Sequence, residues 1–233
     1  LIDRRRLLAS GAAALAISGA STRAGSLTAL SSGKGGPPPP PDVDLMSEHG
    51  VLKRVLLIYQ EALRREDQGQ APPVAAIHGG AEIIHEFIES FHEALEEGYV
   101  FPRLRSAGKL VSTVDTLLVQ HGRGRQLTQL ILAGSSSGHM NSTAIREKVT
   151  KAMAAFSRMY QPHEAREDTV VFPAFRDLLS TDELNELAST IADLQARQFG
   201  TEAFGAIVDR VADIERSLGI YDLNQFTPPP VAP

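Results

Sequence analysis

"HEALEEGYVFPRLR", residues 92–105, returns later in the chain as "HEAREDTVVFPAFR", residues 163–176, with eight of fourteen positions identical. Each copy begins with a histidine that is followed, four residues later, by a glutamate. Residues four apart on a helix lie on the same face, one turn apart, so each copy can direct an imidazole and a carboxylate at one point. The repeat predicts that the domain contains a duplicated half-site.

Two single histidines extend the repeat towards the N-terminus. His49 in "SEHGVLKR" and His121 in "VQHGRGR" are each followed directly by a glycine. His49 precedes His92 by 43 residues, and His121 precedes His163 by 42. This spacing predicts two related helical hairpins, each of which supplies one single histidine and one His-x-x-x-Glu pair.

The rest of the sequence favours an all-α fold. Long periodic stretches are rich in Leu, Ala, Glu and Arg, and 42% of the 233 residues are apolar. Long helices with short connections predict an antiparallel four-helix bundle over residues 42–178. We expect its second helix to end at Gly98 and Pro162 to kink or divide its fourth. A capping box from Ser180 to Glu183 begins two additional helices in a C-terminal extension, residues 179–224.

The two ends of the sequence differ from the helical region. In residues 1–24, three arginines precede a short apolar stretch and several small residues, which is typical of an export signal. The arginines before Leu7 and Leu8 resemble a twin-arginine signal, so we expect an exported, periplasmic protein whose mature chain does not span a membrane. The alternatives are an uncleaved anchor and a basic start that arises by chance. A Gly/Ser/Pro-rich linker, residues 25–41, and a Pro-rich tail, residues 225–233, enclose the folded region.

Charge and cysteine content exclude several classes of protein. The formal net charge is −5, with no basic block outside the first residues, which argues against a nucleic-acid partner. The chain has no cysteine, so disulfides, thiolate metal ligands and a cysteine nucleophile are excluded. Any metal site must therefore use His, Asp, Glu or Tyr.

The paired motifs predict a metal centre in the bundle core. Neutral imidazoles with bridging carboxylates suit a pair of iron ions, whereas zinc more often takes one tetrahedral set. Such groups are costly to bury without a metal or a full set of hydrogen-bond partners. Four unrelated histidines, each satisfied separately, are the alternative. The predicted metal ligands are His49, His92, Glu96, His121, His163 and Glu167.

The arrangement H…HxxxE…H…HxxxE, together with HExxEE and a following FP, resembles the hemerythrin-like (HHE cation-binding) family over roughly residues 44–175. The resemblance implies a non-haem di-iron centre with an oxo or hydroxo bridge. It also implies that the first two histidines of the predicted set ligate one iron, that the last two ligate the other, and that both glutamates bridge them.

Two differences from oxygen-carrying hemerythrins bear on the function. The carriers have HxxxH on the third helix, where this chain has Arg125 four residues after His121, and HxxxxD on the last helix, where we expect HxxxE at His163 instead. The missing imidazole argues against reversible oxygen carriage. It favours binding of, or reaction with, dioxygen, nitric oxide or peroxide, for redox chemistry, sensing or iron handling, and leaves open whether the protein is an enzyme.

Two other functions compete with this interpretation. One is a helical interaction or stress module in which the metal is mainly structural. The other is a ferritin-like di-iron oxidase, but both Glu-x-x-His elements, Glu82 to His85 and Glu89 to His92, fall on one predicted helix. Ferritin-like sites need that element on two helices, which disfavours the oxidase.

Four further residues are candidates for auxiliary or outer roles: Glu93, His85, Glu48 and Tyr160. His85 shares a predicted face with His92 but lies about 10 Å from it along the helix axis. Tyr160 is expected either to be structural or to donate a hydrogen bond to a bound ligand. Gly50 and Gly122 predict either close helix approach, with space for a small ligand, or ordinary packing.

Overall fold

The computed structural model describes residues 36–201 and 203–231, and within these ranges the chain is helical without strands. The predicted export signal and residues 25–35 of the predicted linker lie outside the described residues, so both stay predictions. Among the helices that the structure describes, none has the length and apolar character needed to cross a membrane.

Six long helical segments build the part of the chain that the structure describes, and two of them change between α- and π-helical geometry along their length. The first, third, fifth and sixth are α1 (Pro41–Asp67), α3 (Val111–Ser135), α5 (Thr181–Phe199) and α6 (Ala203–Leu218). The second, α2, runs through Val74–Ile83, Ile84–His92 (π), Glu93–Leu95, Glu96–Val100 (π) and Phe101–Ser106. The fourth, α4, runs through Thr143–Arg166, Glu167–Val171 (π) and Phe172–Arg176.

Helices α1 to α4 form the bundle, and the predicted all-α architecture with two additional helices is confirmed. Helix α1 packs against α2 and α4, and α3 packs against the same two helices from the other side. The centre is filled by large side chains that are fully buried, among them Tyr59, Phe87, Phe101, Phe156 and Phe172. Each histidine motif therefore lies on an element whose apolar face is fixed by the core.

The predicted helix end at Gly98 is wrong, and the fourth helix is not divided at Pro162. Gly98 lies inside the π-helical stretch Glu96–Val100, and α2 continues to Ser106. Pro162 lies within the α-helical stretch Thr143–Arg166. Tertiary packing outweighs the local preference of these residues in both places, because Val100, Phe101 and Tyr160 beside them are buried in the core. In both copies of the repeat a π turn directly precedes the Phe-Pro pair.

The C-terminal helices α5 and α6 pack on the first hairpin, against α1 and α2. The predicted capping box of Ser180 and Glu183 is present at the start of α5. Arg54 of α1 donates two hydrogen bonds to Glu215 of α6, at 3.0 and 2.5 Å. Because Glu215 is buried, this bidentate pair ties the extension firmly to the bundle.

A close approach between helices occurs at Gly124, not at the predicted Gly50 and Gly122. A Cβ atom at Gly50 or Gly122 would meet nothing within 4 Å, so neither glycine is required by packing. A Cβ at Gly124 would lie 2.8 Å from Cζ and 2.9 Å from Cε2 of Tyr160. Gly124 therefore makes room on α3 for the buried tyrosine of α4.

This contrast generates a prediction. Gly124→Ala should lower the free energy of unfolding by about 1–3 kcal/mol, because the added methyl overpacks the contact with Tyr160. Gly122→Ala, two residues away on the same helix, should raise it by up to about 1 kcal/mol, because alanine is the better helix former and has free space there. Urea denaturation of both variants tests this, and equal effects would contradict the close approach.

Candidate metal centre

The four helices of the bundle bring the six predicted ligands together in its core. Helix α1 contributes His49, α2 contributes His92 and Glu96, α3 contributes His121, and α4 contributes the remaining pair. None of the six side chains is more than 4% exposed. Both glutamates stand at the first residue of a π turn, so the widened turn is part of how each carboxylate is aimed inwards.

The first group consists of His49, His92 and Glu96, whose donor atoms all lie within 4.8 Å of one another. The two Nε2 atoms are 3.1 Å apart, and Oε1 of Glu96 is 3.6 Å from Nε2 of His92. Two donors that each lie about 2.1 Å from one ion, at right angles, are about 3 Å apart. The two imidazoles are thus placed as neighbouring ligands of a single cation.

The second group repeats the first on the other two helices. His121, His163 and Glu167 again place their donor atoms within 4.8 Å of one another. Nε2 of His163 lies 3.0 Å from Oε2 of Glu167, and the two imidazole centroids are 5.1 Å apart. The duplicated half-site of the sequence is therefore duplicated in space.

Each glutamate also faces a histidine of the other group. Oε2 of Glu96 lies 3.4 Å from Nε2 of His121, and Oε2 of Glu167 lies 3.4 Å from Nε2 of His49. A carboxylate that reaches one imidazole of each group could bridge two ions. The two groups thus form one centre.

The outward nitrogen of every imidazole is held by a hydrogen bond. In each ring Nδ1 donates to a side-chain oxygen 2.6–3.0 Å away. Such bonds fix the tautomer and the ring orientation, so that Nε2 is directed at the metal. The four donor–acceptor pairs are His49 to Asp168, His92 to Glu48, His121 to Glu97 and His163 to Gln120.

Sequence reasoning missed Asp168, Glu97 and Gln120, although their positions carry a signal. Asp168 and Glu97 each lie five residues after a His-x-x-x-Glu histidine, and Gln120, like Glu48, directly precedes a single histidine. The expectation that HxxxE replaces HxxxxD was also wrong, because Asp168 supplies the aspartate as well. It holds His49 from outside, at 2.6 Å.

Cations balance two of the outer carboxylates. Nζ of Lys53 lies 3.0 Å from Oδ2 of Asp168. A guanidinium nitrogen of Arg125 lies 2.7 Å from an oxygen of Glu97 and 2.7 Å from one of Glu93. Arg125, at the position where oxygen carriers have an imidazole, therefore pairs with outer carboxylates.

Two phenylalanines cover the single histidines. Phe172 stacks on His49 with ring centroids 5.4 Å apart, and Phe101 stacks on His121 at 5.6 Å. Both are the phenylalanines of the repeated Phe-Pro pairs. They close the centre on these two sides with apolar surface, which keeps water away from the imidazoles.

The four auxiliary candidates take different places. Glu48 holds His92, while the hydroxyl of Tyr160 donates to Oε1 of the buried Glu93 at 2.6 Å. His85 is not brought to the centre, since its side chain is 48% exposed and lies 3.1 Å from Glu89. The π-helical stretch Ile84–His92 is the reason, because its wider turns break the heptad relation between His85 and His92.

The buried polar atoms show that the centre fits a cation. Both oxygens of Glu96, both oxygens of Glu167 and Nε2 of His121 are buried without a hydrogen-bond partner. Each such group costs free energy unless another charge or donor compensates it. Carboxylate oxygens and imidazole nitrogens that converge in this way are suited to bind a divalent metal.

The pKa shifts point in the same direction. Burial lowers the pKa of His49, but its hydrogen bond to Asp168 and the carboxylate of Glu167 3.4 Å away outweigh burial, and the pKa ends above its ordinary value. Burial also lowers the pKa of His92, but the carboxylates of Glu96 and Glu48 raise it by more, so this pKa is raised as well. A raised pKa favours the protonated form of these two imidazoles, and a metal ion that binds them has to displace those protons.

Comparison with known proteins finds one matching family and several relatives of similar length. The family described as Hemerythrin HHE cation binding domain matches residues 41–134 and, overlapping these, 112–198. Two uncharacterized proteins, Rv1995 of Mycobacterium tuberculosis and Mb2018 of Mycobacterium bovis, are each 46% identical over 233 residues, covering 97% of this chain and 91% of the relative. No solved structure matches the chain.

The outer hydrogen bonds generate a prediction. Asp168→Ala should weaken the binding of a divalent cation about 10- to 100-fold, because His49 loses the acceptor that orients it. Titration with Zn²⁺ against a chromogenic chelator measures the change. Asp177→Ala, which removes an exposed carboxylate directly after the same helix, is the control and should leave the affinity unchanged. Equal affinity of both variants would show that Asp168 does not support the centre.

Proposed function

Because the chain belongs to the hemerythrin HHE cation-binding domain family, we propose that its buried His/Glu centre holds two non-haem iron ions and binds or reacts with dioxygen, nitric oxide or peroxide. The observation that carries the proposal is the pair of buried groups joined by two glutamates that each face both groups. The proposed ligands are His49, His92 and Glu96 for one ion, and His121, His163 and Glu167 for the other.

The donor set supports iron over a structural zinc. Structural zinc sites are closed, with four protein ligands in a tetrahedron, whereas each group here offers three donors and a share of the second glutamate. Two imidazoles and one carboxylate are a ligand set typical of non-haem iron, which takes more ligands than a tetrahedral zinc and so keeps positions at which a small molecule can bind. An iron pair of this kind supplies redox chemistry towards dioxygen, nitric oxide or peroxide.

The surrounding residues have defined tasks in this proposal. Asp168, Glu48 and Glu97 hold three imidazoles by charge-assisted hydrogen bonds, and Phe101 and Phe172 exclude water. With Arg125 paired to carboxylates instead of an imidazole in that position, the centre lacks the extra nitrogen of the oxygen carriers. This supports redox chemistry, sensing or iron handling over reversible oxygen carriage.

Metal content and the visible spectrum of the protein test the proposal. We expect two irons per chain by elemental analysis, with near-ultraviolet and visible absorption that changes when anaerobic ferrous protein meets air, nitric oxide or peroxide. One zinc or no metal, with a spectrum that none of these reagents changes, would overturn the di-iron proposal. The interaction-module alternative would then be preferred.

Replacing one histidine tests the ligand assignment. His163→Ala should lose at least one of the two irons, because a buried shared centre does not tolerate the loss of an imidazole together with the cavity it leaves. His85→Ala is the matched control, since this histidine is half exposed and away from the centre. It should retain both irons. If His163→Ala also retained both, the assignment would be wrong.

A further inference from the structure

A pocket of about 370 Å³ lies between the start of α3 and the middle of α4, next to the second half of the centre. His163 and Gln120 contribute to its wall. His163 is a proposed ligand, and the carbonyl oxygen of Gln120 accepts the hydrogen bond from its Nδ1 at 2.8 Å. Only the side chains of His163 and Gln120 therefore separate this pocket from the second half of the centre.

The equivalent place in the first half is filled. By the register of the repeat, Pro162 and Arg166 in the pocket wall correspond to Phe91 and Leu95 of α2, and both of these are buried. Phe91 is in addition covered by Phe199 of α5, with ring centroids 5.5 Å apart and nearly perpendicular. In the second half, the compact Pro162 and the exposed Arg166 leave the pocket open. In the first half, two apolar side chains and the C-terminal extension fill the equivalent space.

The outer hydrogen bond beside the pocket is also the weakest of the four. His49, His92 and His121 donate to carboxylates, whereas His163 donates to a neutral amide. Charge-assisted hydrogen bonds are roughly twice as strong as neutral ones. Moving the side chain of Gln120 therefore costs less free energy than moving any of the three carboxylates. An incoming molecule can displace it most easily.

The chemistry of the pocket wall favours an anion. Arg166 brings a positive charge, Ser112 and Thr113 bring hydroxyls, and the amide NH₂ group of Gln120 is available to donate because its carbonyl is engaged. None of the residues that line the pocket is a carboxylate. In the first half, the corresponding positions of Thr116 and Gln120 are occupied by Asp44 and Glu48. Only the second half thus offers donors without competing negative charge.

We propose that this pocket binds a small anion and is the entrance through which it reaches the ion held by His121, His163 and Glu167. The inference rests on the proposed function and adds to it a direction of access and a charge preference. It also assigns a role to α5, whose Phe199 helps to close the first half.

The test uses azide as the anionic probe and nitric oxide as the neutral one, with rapid-mixing absorbance of the iron-loaded protein. Thr116→Phe should fill the pocket and slow the association of both probes at least about tenfold. Thr116→Val is the matched control, because it adds no bulk and the hydroxyl that it removes donates to the backbone carbonyl oxygen of Ser112 at 3.0 Å rather than to the pocket. It should leave both rates unchanged. Iron content and the melting temperature of each variant establish that the centre and the fold are intact.

A charge reversal tests the preference for an anion. Arg166→Glu should slow azide several-fold at low salt and leave nitric oxide unchanged. Arg158→Glu makes the same change on the exposed side of the same helix, eight residues earlier, and is the control. If Arg166→Glu affects azide no more than Arg158→Glu does, the anion preference is wrong.

The two proposals fail in different ways. If the wild-type protein holds no iron, or if neither probe changes its spectrum, the proposed function is overturned. If the wild-type protein is loaded and binds azide, but Thr116→Phe binds both probes at the wild-type rate, then the function stands and the entrance is wrong.

Discussion

The structure depends on burying carboxylates opposite imidazoles in the middle of a helical bundle. Glu96 and Glu167 have all four oxygens out of contact with water and without hydrogen-bond partners. An apolar core alone cannot compensate such charges, and nearby imidazoles do so only while they carry protons. The bundle around them therefore has to be held by other contacts, which the large buried aromatic residues and the tie between Arg54 and Glu215 provide. A bound cation would offset the free-energy cost of burying these carboxylates.

The centre is built from one short motif that occurs twice in the chain. A single histidine, a His-x-x-x-Glu pair, an outer acidic residue five positions after the paired histidine and a Phe-Pro pair recur in both hairpins. The acidic residue five positions after each paired histidine holds the single histidine of the other hairpin: Asp168 holds His49, and Glu97 holds His121. Neither hairpin can therefore orient its own single histidine, and the centre forms only when both are packed together.

The fold and the six central residues could be predicted because they follow from periodicity and from an internal repeat, which is visible in one sequence. The outer partners could not, since Asp168 and Gln120 contact histidines that lie 119 and 43 residues away. The places where helices continue were also hidden: Gly98 and Pro162 are helix breakers by local preference, and only the burial of their neighbours overrides it. His85 was misplaced because a π-helical stretch changes the face on which a heptad partner lies.

The differences between the two halves carry more functional information than their similarity. A symmetric centre would offer a ligand two equivalent approaches, but Phe91, Leu95 and the covering Phe199 close one of them. The other keeps a pocket, a positive charge and a neutral outer hydrogen bond at Gln120. The packing of the C-terminal extension on one hairpin thereby makes the two sides of a duplicated bundle different, with a pocket beside the second half and, among the described residues, none at the equivalent place that Phe199 covers.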